Sequence, residues 1–143
     1  MSIALGCDHG GYALKQEIIR YLEEKGMDYR DFGCPDTSSC DYPGYAIEAA
    51  KAVASGECEK GIVICTTGLG ISMAANKVKG IRCAVCADTL SAKMTRLHNN
   101  ANVLSMGAGI VGPNLGIAIV ETFLKTEFSG DERHQRRIDL IEE

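Results

Sequence analysis

Apolar positions along the chain follow two alternating rhythms: short uncharged runs, and longer stretches with apolar residues three or four apart. Residues 3–5 are a short apolar run closed by Gly6. Across 12–25, Leu14, Ile18, Ile19 and Leu22 recur at helical spacing, and Gly26 supplies a stop. Residues 28–32 suit a second strand, and the alanine-rich stretch 46–54 a helix ending at Ser55-Gly56. Residues 61–65 (GIVIC) form the clearest buried strand, β-branched and uncharged. A glycine-rich turn leads into a helix over 71–78. A fourth strand is predicted over 82–87, and Asp88 can cap a helix over 89–98. A fifth strand follows at 103–106, Pro113 opens a helix over 114–128, and a last helix covers 133–141. Five strands separated by helices predict βαβ units: an α/β chain with a five-stranded parallel sheet covered by helices on both faces.

Size agrees with one domain over residues 1–143, long enough to bury a substantial core. The formal net charge of −4 argues against nucleic acid and anionic membrane surfaces as partners, since both select a basic excess. No apolar run approaches the ~20 residues that span a bilayer. Residues 1–6 lack the basic-then-apolar pattern of a signal peptide, so a cytoplasmic location is expected. Seven cysteines, an odd number, argue against a disulfide framework. Cys83 and Cys86 form a C-x-x-C, but in a strand residues three apart face opposite ways, which spoils a chelate and a redox pair alike. No second pair or neighbouring histidine completes a zinc site, so no metal is expected.

Ligands of parallel sheets bind beyond the carboxyl ends of the strands. The chemistry-bearing residues gather there: Cys7-Asp8-His9-Gly10-Gly11, then Cys65-Thr66-Thr67-Gly68-Leu69-Gly70, then Asp88, then Gly107-Ala108-Gly109. Met73 replaces the third glycine of a dinucleotide fingerprint, and no Lys-Ser or Lys-Thr makes a phosphate loop of the nucleoside-triphosphatase type. What remains is a turn whose N–H groups converge before a helix, suited to a phosphate or a reaction oxyanion; the alternative is a tight turn that needs glycine for its backbone angles. Cys65 enters that turn, where a thiol is made more acidic and accessible, although a cysteine at a strand end is commonly apolar filler. His9 and His98, if they reach one sheet edge, suit acid–base work. Arg133 and Arg137, four apart, share a helix face that suits a phosphate; alone they read as a solvated surface, as Arg136 does.

GCDHGGYALK, DYP at 41–43, GIVICTTGLGISMAANK, GIR, SAKMTRLHNNANVLSMG and RHQRR follow one another in this order. Together they closely resemble type B ribose-5-phosphate isomerases, of the family that includes galactose-6-phosphate isomerase subunits, from Ile3 to Arg137. The resemblance implies a three-layer Rossmann-like fold, a homodimer or tetramer with its active site between subunits, and no cofactor. It implies that Cys65 is the base moving a proton between C2 and C1 of a sugar phosphate. Thr67 and the N–H groups of Gly68, Leu69 and Gly70 would hold the enediolate oxygen. His98 would assist ring opening, with Asp8 and Tyr42 contacting the sugar. His9, Arg133 and Arg137 would hold the phosphate, and Asn99 the substrate, with His98 and Asn99 completing the partner's site.

Two positions depart from the pattern. Thr66 stands where the ribose enzymes carry glycine, and could narrow the pocket or add a contact. Gly109 stands where many members carry arginine, and Asp131-Glu132 looks like a one-residue extension. The expected reaction is therefore ribose 5-phosphate to ribulose 5-phosphate, with allose 6-phosphate or another pentose or hexose phosphate as the alternative. A nucleotide-binding regulatory module and a thiol-redox protein are the other classes the residues allow. A chain carrying Cys65, His98, Arg133 and Arg137 together needs no second kind of subunit, which argues against a heteromeric galactose-6-phosphate enzyme.

Overall fold

A computed structural model describes all of residues 1–143. The strands are β1 (Ser2–Cys7), β2 (Asp28–Asp31), β3 (Lys60–Cys65), β4 (Cys83–Val85) and β5 (Val103–Gly107). They form one parallel sheet in the order β2-β1-β3-β5-β4. The helices are α1 (Tyr12–Glu24), α2 (Tyr42–Ala54), α3 (Leu69–Ala75), α4 (Thr89–Asn99), α5 (Ala108–Lys125) and α6 (Glu132–Glu142).

Alternation along the strands sorts the core into two layers. Ile3, Leu5, Ile62, Ile64, Leu104 and Met106 face α1 and α5, together with Leu14, Ile18, Leu22, Ile119 and Phe123. Ala4, Val63, Cys65 and Val103 face the opposite way, against the alanines of α2 and against Ile71 and Ala75 of α3. Small side chains let α2 lie close to the sheet: a methyl at Gly6 would stand 2.7 Å from the Tyr45 carbonyl oxygen. Cys65 thus belongs to the tighter, alanine-lined layer.

Several predicted boundaries shift. α2 begins at Tyr42 rather than residue 46, with Pro43 in its first turn, where a missing N–H costs nothing. β4 is limited to three residues. The last long helix starts at Ala108, before Pro113, and is broken at Gly112, whose φ of 70° and ψ of 173° lie outside helical geometry. Pro113 then opens the second segment, as the sequence suggests. Asp88 caps α4 through the Ser91 N–H at 2.6 Å. Cys83 packs against the α2/α3 layer and Cys86 lies in the α1/α5 layer, so the C-x-x-C straddles the sheet.

All seven cysteines are free thiols. Burial pushes the Cys7 and Cys83 thiols from an ordinary 9.0 up to about 12. Burial likewise carries Cys86 from 9.0 to about 11, with Asp88 adding to it. These groups stay protonated in the folded chain while the unfolded chain ionises. Their contribution is complete below pH 9 and is lost as pH rises through the folded values. Each thiol should remove roughly 1.4 kcal/mol of stability per pH unit in that window. Urea midpoints measured under reductant should be flat up to pH 9 and fall between pH 9 and 11. A midpoint unchanged to pH 11 would contradict this.

Candidate active site

The carboxyl edge of the sheet gathers three loops around Cys65. Register puts Cys65 opposite Gly107 on β5 and Ile64 opposite Cys7 on β1. Cys65 is buried at the mouth of its turn, and the Gly68 N–H donates to its Sγ at 3.1 Å. Gly68 can make that bond because it adopts φ 78°, and a methyl there would stand 2.7 Å from the Met106 carbonyl carbon. The Thr67 Oγ1 lies 4.0 Å from the thiol and accepts the Leu69 N–H at 3.2 Å. Buried Ser105 donates to the Gly68 carbonyl at 2.7 Å, fastening the turn to β5. Sequence reasoning missed Ser105, whose signal was a hydroxyl inside an otherwise apolar strand.

Tyr42 closes one side of the turn: its ring and hydroxyl lie 2.5 Å from where a Cβ on Gly70 would be. Asp8 is buried, and its Oδ1 accepts the Gly10 and Gly11 N–H groups at 2.9 and 3.1 Å. His9 is exposed, and its Nδ1 accepts the Cys40 N–H at 3.3 Å, which leaves Nε2 to carry the ring proton as a donor. Thr66 is wedged between two glycines. Its Oγ1 would be 2.3 Å from a methyl on Gly10, and its Cγ2 3.1 Å from one on Gly109. The two departures from the family pattern therefore touch each other. They border a cavity of 580 Å³ that is lined also by Leu14, Ala108 and Pro113, on the α1/α5 side of the edge.

His98 and Asn99 are elsewhere. α4 leaves the carboxyl end of β4 and runs back, so its last turn lies at the amino edge of the sheet. There the Asn99 and Asn100 carbonyls accept from Arg82 at 3.0 and 2.8 Å. The expectation that His9 and His98 reach one edge fails within a single chain, because a crossover helix ends opposite the edge where it begins. Buried Arg96 locks this turn through the Thr126 and Ala101 carbonyls and the Asn100 side chain. The His98 ring stacks on His134 of α6 at 4.2 Å. Burial first, then the positive neighbour His98, hold His134 below the usual imidazole value. Arg133 and Arg137 are exposed on the same helix; Arg133 meets Asp131 at 3.5 Å and Arg137 makes no ion pair. Within one chain the predicted residues therefore fall into two separate groups. One is the Cys65 turn with Asp8, His9, Tyr42, Thr66 and Thr67; the other is a surface that carries His98, Arg133 and Arg137.

The Ribose/Galactose Isomerase family model matches residues 3–141. The chain belongs to this family. It is 48% identical to ribose-5-phosphate isomerase B of Escherichia coli K12, over 97% of this chain and 93% of that protein. The Clostridium thermocellum ribose-5-phosphate isomerase B structure superposes with a TM-score of 0.97 at 52% identity, covering 99% of this chain and 95% of that one. The Mycoplasma genitalium ribose-5-phosphate isomerase B, solved with bound ribulose-5-phosphate, gives 0.93 at 40% identity, covering 99% and 93%. As in those isomerase structures, the architecture is α/β, with a parallel five-stranded sheet between helical layers. No helix is long and apolar enough to cross a membrane.

Proposed function

We propose that this family member interconverts ribose 5-phosphate and ribulose 5-phosphate, with Cys65 as the base and a cis-enediolate as the intermediate. The observation that carries the reading is the Cys65 turn, where a thiol sulfur and converging N–H groups meet at the strand's carboxyl end. The proton on C2 of the open aldose is acidified by the C1 carbonyl. The Cys65 thiolate takes it as the C1 oxygen becomes anionic, and that oxygen takes over the Gly68 and Leu69 N–H groups from the Cys65 sulfur and the Thr67 Oγ1, with the Thr67 hydroxyl and the Gly70 N–H completing its cradle. The same sulfur returns the proton to C1 while the 2-hydroxyl proton passes to the C1 oxyanion, giving the ketose with its new 1-hydroxyl. Since the substrate's own atoms balance the change, neither a hydride acceptor nor a metal is needed. The donor Nε2 of exposed His9 suits the phosphate, whose binding energy positions the sugar.

The second group supplies the rest from a partner chain: His98 for ring opening, Asn99 for a sugar hydroxyl, and Arg133 and Arg137 for the phosphate. Two features support a homodimer over a self-contained site. His98 lies at the far edge from Cys65 in its own chain. Leu69, Met73 and Ile110, at the edge that holds Cys65, are 53%, 68% and 60% exposed, an apolar rim suited to a second copy. A related pentose or hexose phosphate is the alternative substrate, favoured by Thr66 filling the space beside Gly109.

The test is ketose formation from ribose 5-phosphate, followed by mixing two inactive variants, Cys65→Ser and Arg137→Ala. If the site is shared, each mixed dimer regains one intact site, and random exchange restores about a quarter of native activity. No recovery after verified subunit exchange would place the whole site within one chain. Turnover of a six-carbon phosphate but not of ribose 5-phosphate would move the assignment to the alternative.

A further inference from the structure

Three of the seven thiols cluster beside the Cys65 site with no part in the chemistry above. The chain after β2 continues alongside the end of β1: the Cys7 N–H donates to the Gly33 carbonyl at 2.7 Å and the Cys34 N–H to the Cys7 carbonyl at 2.9 Å. This pairing puts the Cys7 and Cys34 sulfurs 3.8 Å apart, both closed off from solvent. Cys40 packs against the core layer that holds Cys7 and Cys34, and its thiol interacts directly with the Cys34 thiol. It is half-buried, its sulfur is 4.0 Å from the His9 Nδ1, and its N–H is the one His9 accepts. The connecting residues 35–39 are all exposed, tied internally by the Ser38 N–H to Asp36.

We propose that Cys34 and Cys40 form an oxidant-responsive thiol pair that controls the neighbouring site; the control rests on the isomerase reading, while the disulfide chemistry does not. Only Cys40 of the three is reachable by a small oxidant such as a peroxide. Its sulfur attacks the O–O bond, giving a sulfenic acid and releasing water or an alcohol. The Cys34 sulfur then attacks the Cys40 sulfur and the sulfenic hydroxyl leaves as water. The two thiols have together lost two electrons and two protons to the peroxide. Cys7 can next displace Cys40 from Cys34 by thiol–disulfide exchange, which moves the bond inward without further oxidation. Burial raises the Cys40 thiol while its hydrogen bond with His9 opposes this, so little thiolate is present at neutral pH.

Bond formation has a direct route to the site. Drawing Cys40 toward Cys34 breaks its N–H contact with His9. It also shifts Asp41 and Tyr42, the residues next along the chain, and the Tyr42 ring packs against Gly70 of the Cys65 turn. The linked loop is short and polar, so closing it disturbs little else.

The test exposes the full-length protein carrying Cys65→Ser to hydrogen peroxide, blocks the remaining thiols and maps disulfide-linked peptides by mass. The expected product is a disulfide containing Cys34, a loss of about 2 Da that dithiothreitol reverses. Adding Cys40→Ser should leave Cys34 a free thiol under the same treatment. A Cys34 that stays reduced in the first protein, or is linked equally in the second, overturns the proposal. In the native background, peroxide should leave about fivefold less activity than in Cys40→Ser alone, with dithiothreitol closing that gap. Equal losses alongside a mapped Cys34 disulfide overturn the control of the site. A protein inactive before oxidant counts against the isomerase reading, and the peptide map still judges the thiol pair.

Discussion

Cys65→Ser should lower kcat for the aldose–ketose conversion by roughly 1000-fold, within the range a positioned general base contributes. Serine is the informative replacement. Its hydroxyl fits the same space and can still accept the Gly68 N–H that now meets the sulfur at 3.1 Å, so the turn keeps its shape. What is lost is a group that ionises readily enough to remove a carbon-bound proton. Unfolding free energy should change by less than about 1 kcal/mol, since neither volume nor hydrogen bonding changes much. Steady-state kinetics with a urea titration separates the two quantities. Retention of activity within about tenfold of native would remove Cys65 from the role of base.

Asp31→Ala should cost about 3 kcal/mol of stability, and Lys15→Met clearly less. Lys15 is fully buried at the α1 face of the sheet. Its ammonium donates to the Asp31 Oδ1 at 2.8 Å and to the Cys34 carbonyl at 2.7 Å, and stands 5.3 Å from the Tyr12 ring centre. Removing Asp31 leaves a buried cation with only a carbonyl and a ring for company. It also frees the Gly33 N–H, which Asp31 now accepts at 2.9 Å. Removing Lys15 instead leaves a carboxylate whose side chain is 34% exposed and can turn to water, while methionine fills the lysine's apolar path. The remaining penalty is one unpaired carbonyl at Cys34, about 1–2 kcal/mol. Denaturant unfolding of both variants checks the asymmetry, and equal losses would refute it. The pair also anchors the loop that bears Cys34, so Asp31→Ala should loosen the route from that loop to His9.

Much of the fold was legible because its signals are local. An uncharged β-branched run such as 61–65 has no comfortable place but a doubly covered strand, and the spacing of Leu14, Ile18 and Leu22 suits only one helix face. The errors also have local causes. The helix expected over 46–54 begins earlier, at Tyr42, because proline is at home in a helix's first turn. The helix expected from 114, after Pro113, is preceded by a helical turn that starts at Ala108 and ends at the break at Gly112.

The sequence by itself determined the βαβ alternation, the turn that presents Cys65, and the polar residues that close the other strand ends. Each depends on a few consecutive residues and the backbone angles they permit. Only the tertiary structure decided that His98 stands across the sheet from Cys65, that Tyr42 packs against Gly70, that Thr66 touches both Gly10 and Gly109, that Cys7 meets Cys34, and that Cys40 packs on their layer beside His9. These are contacts between segments far apart in the chain. They follow from the direction in which each helix returns across the sheet and from the order of the strands, which no local pattern encodes.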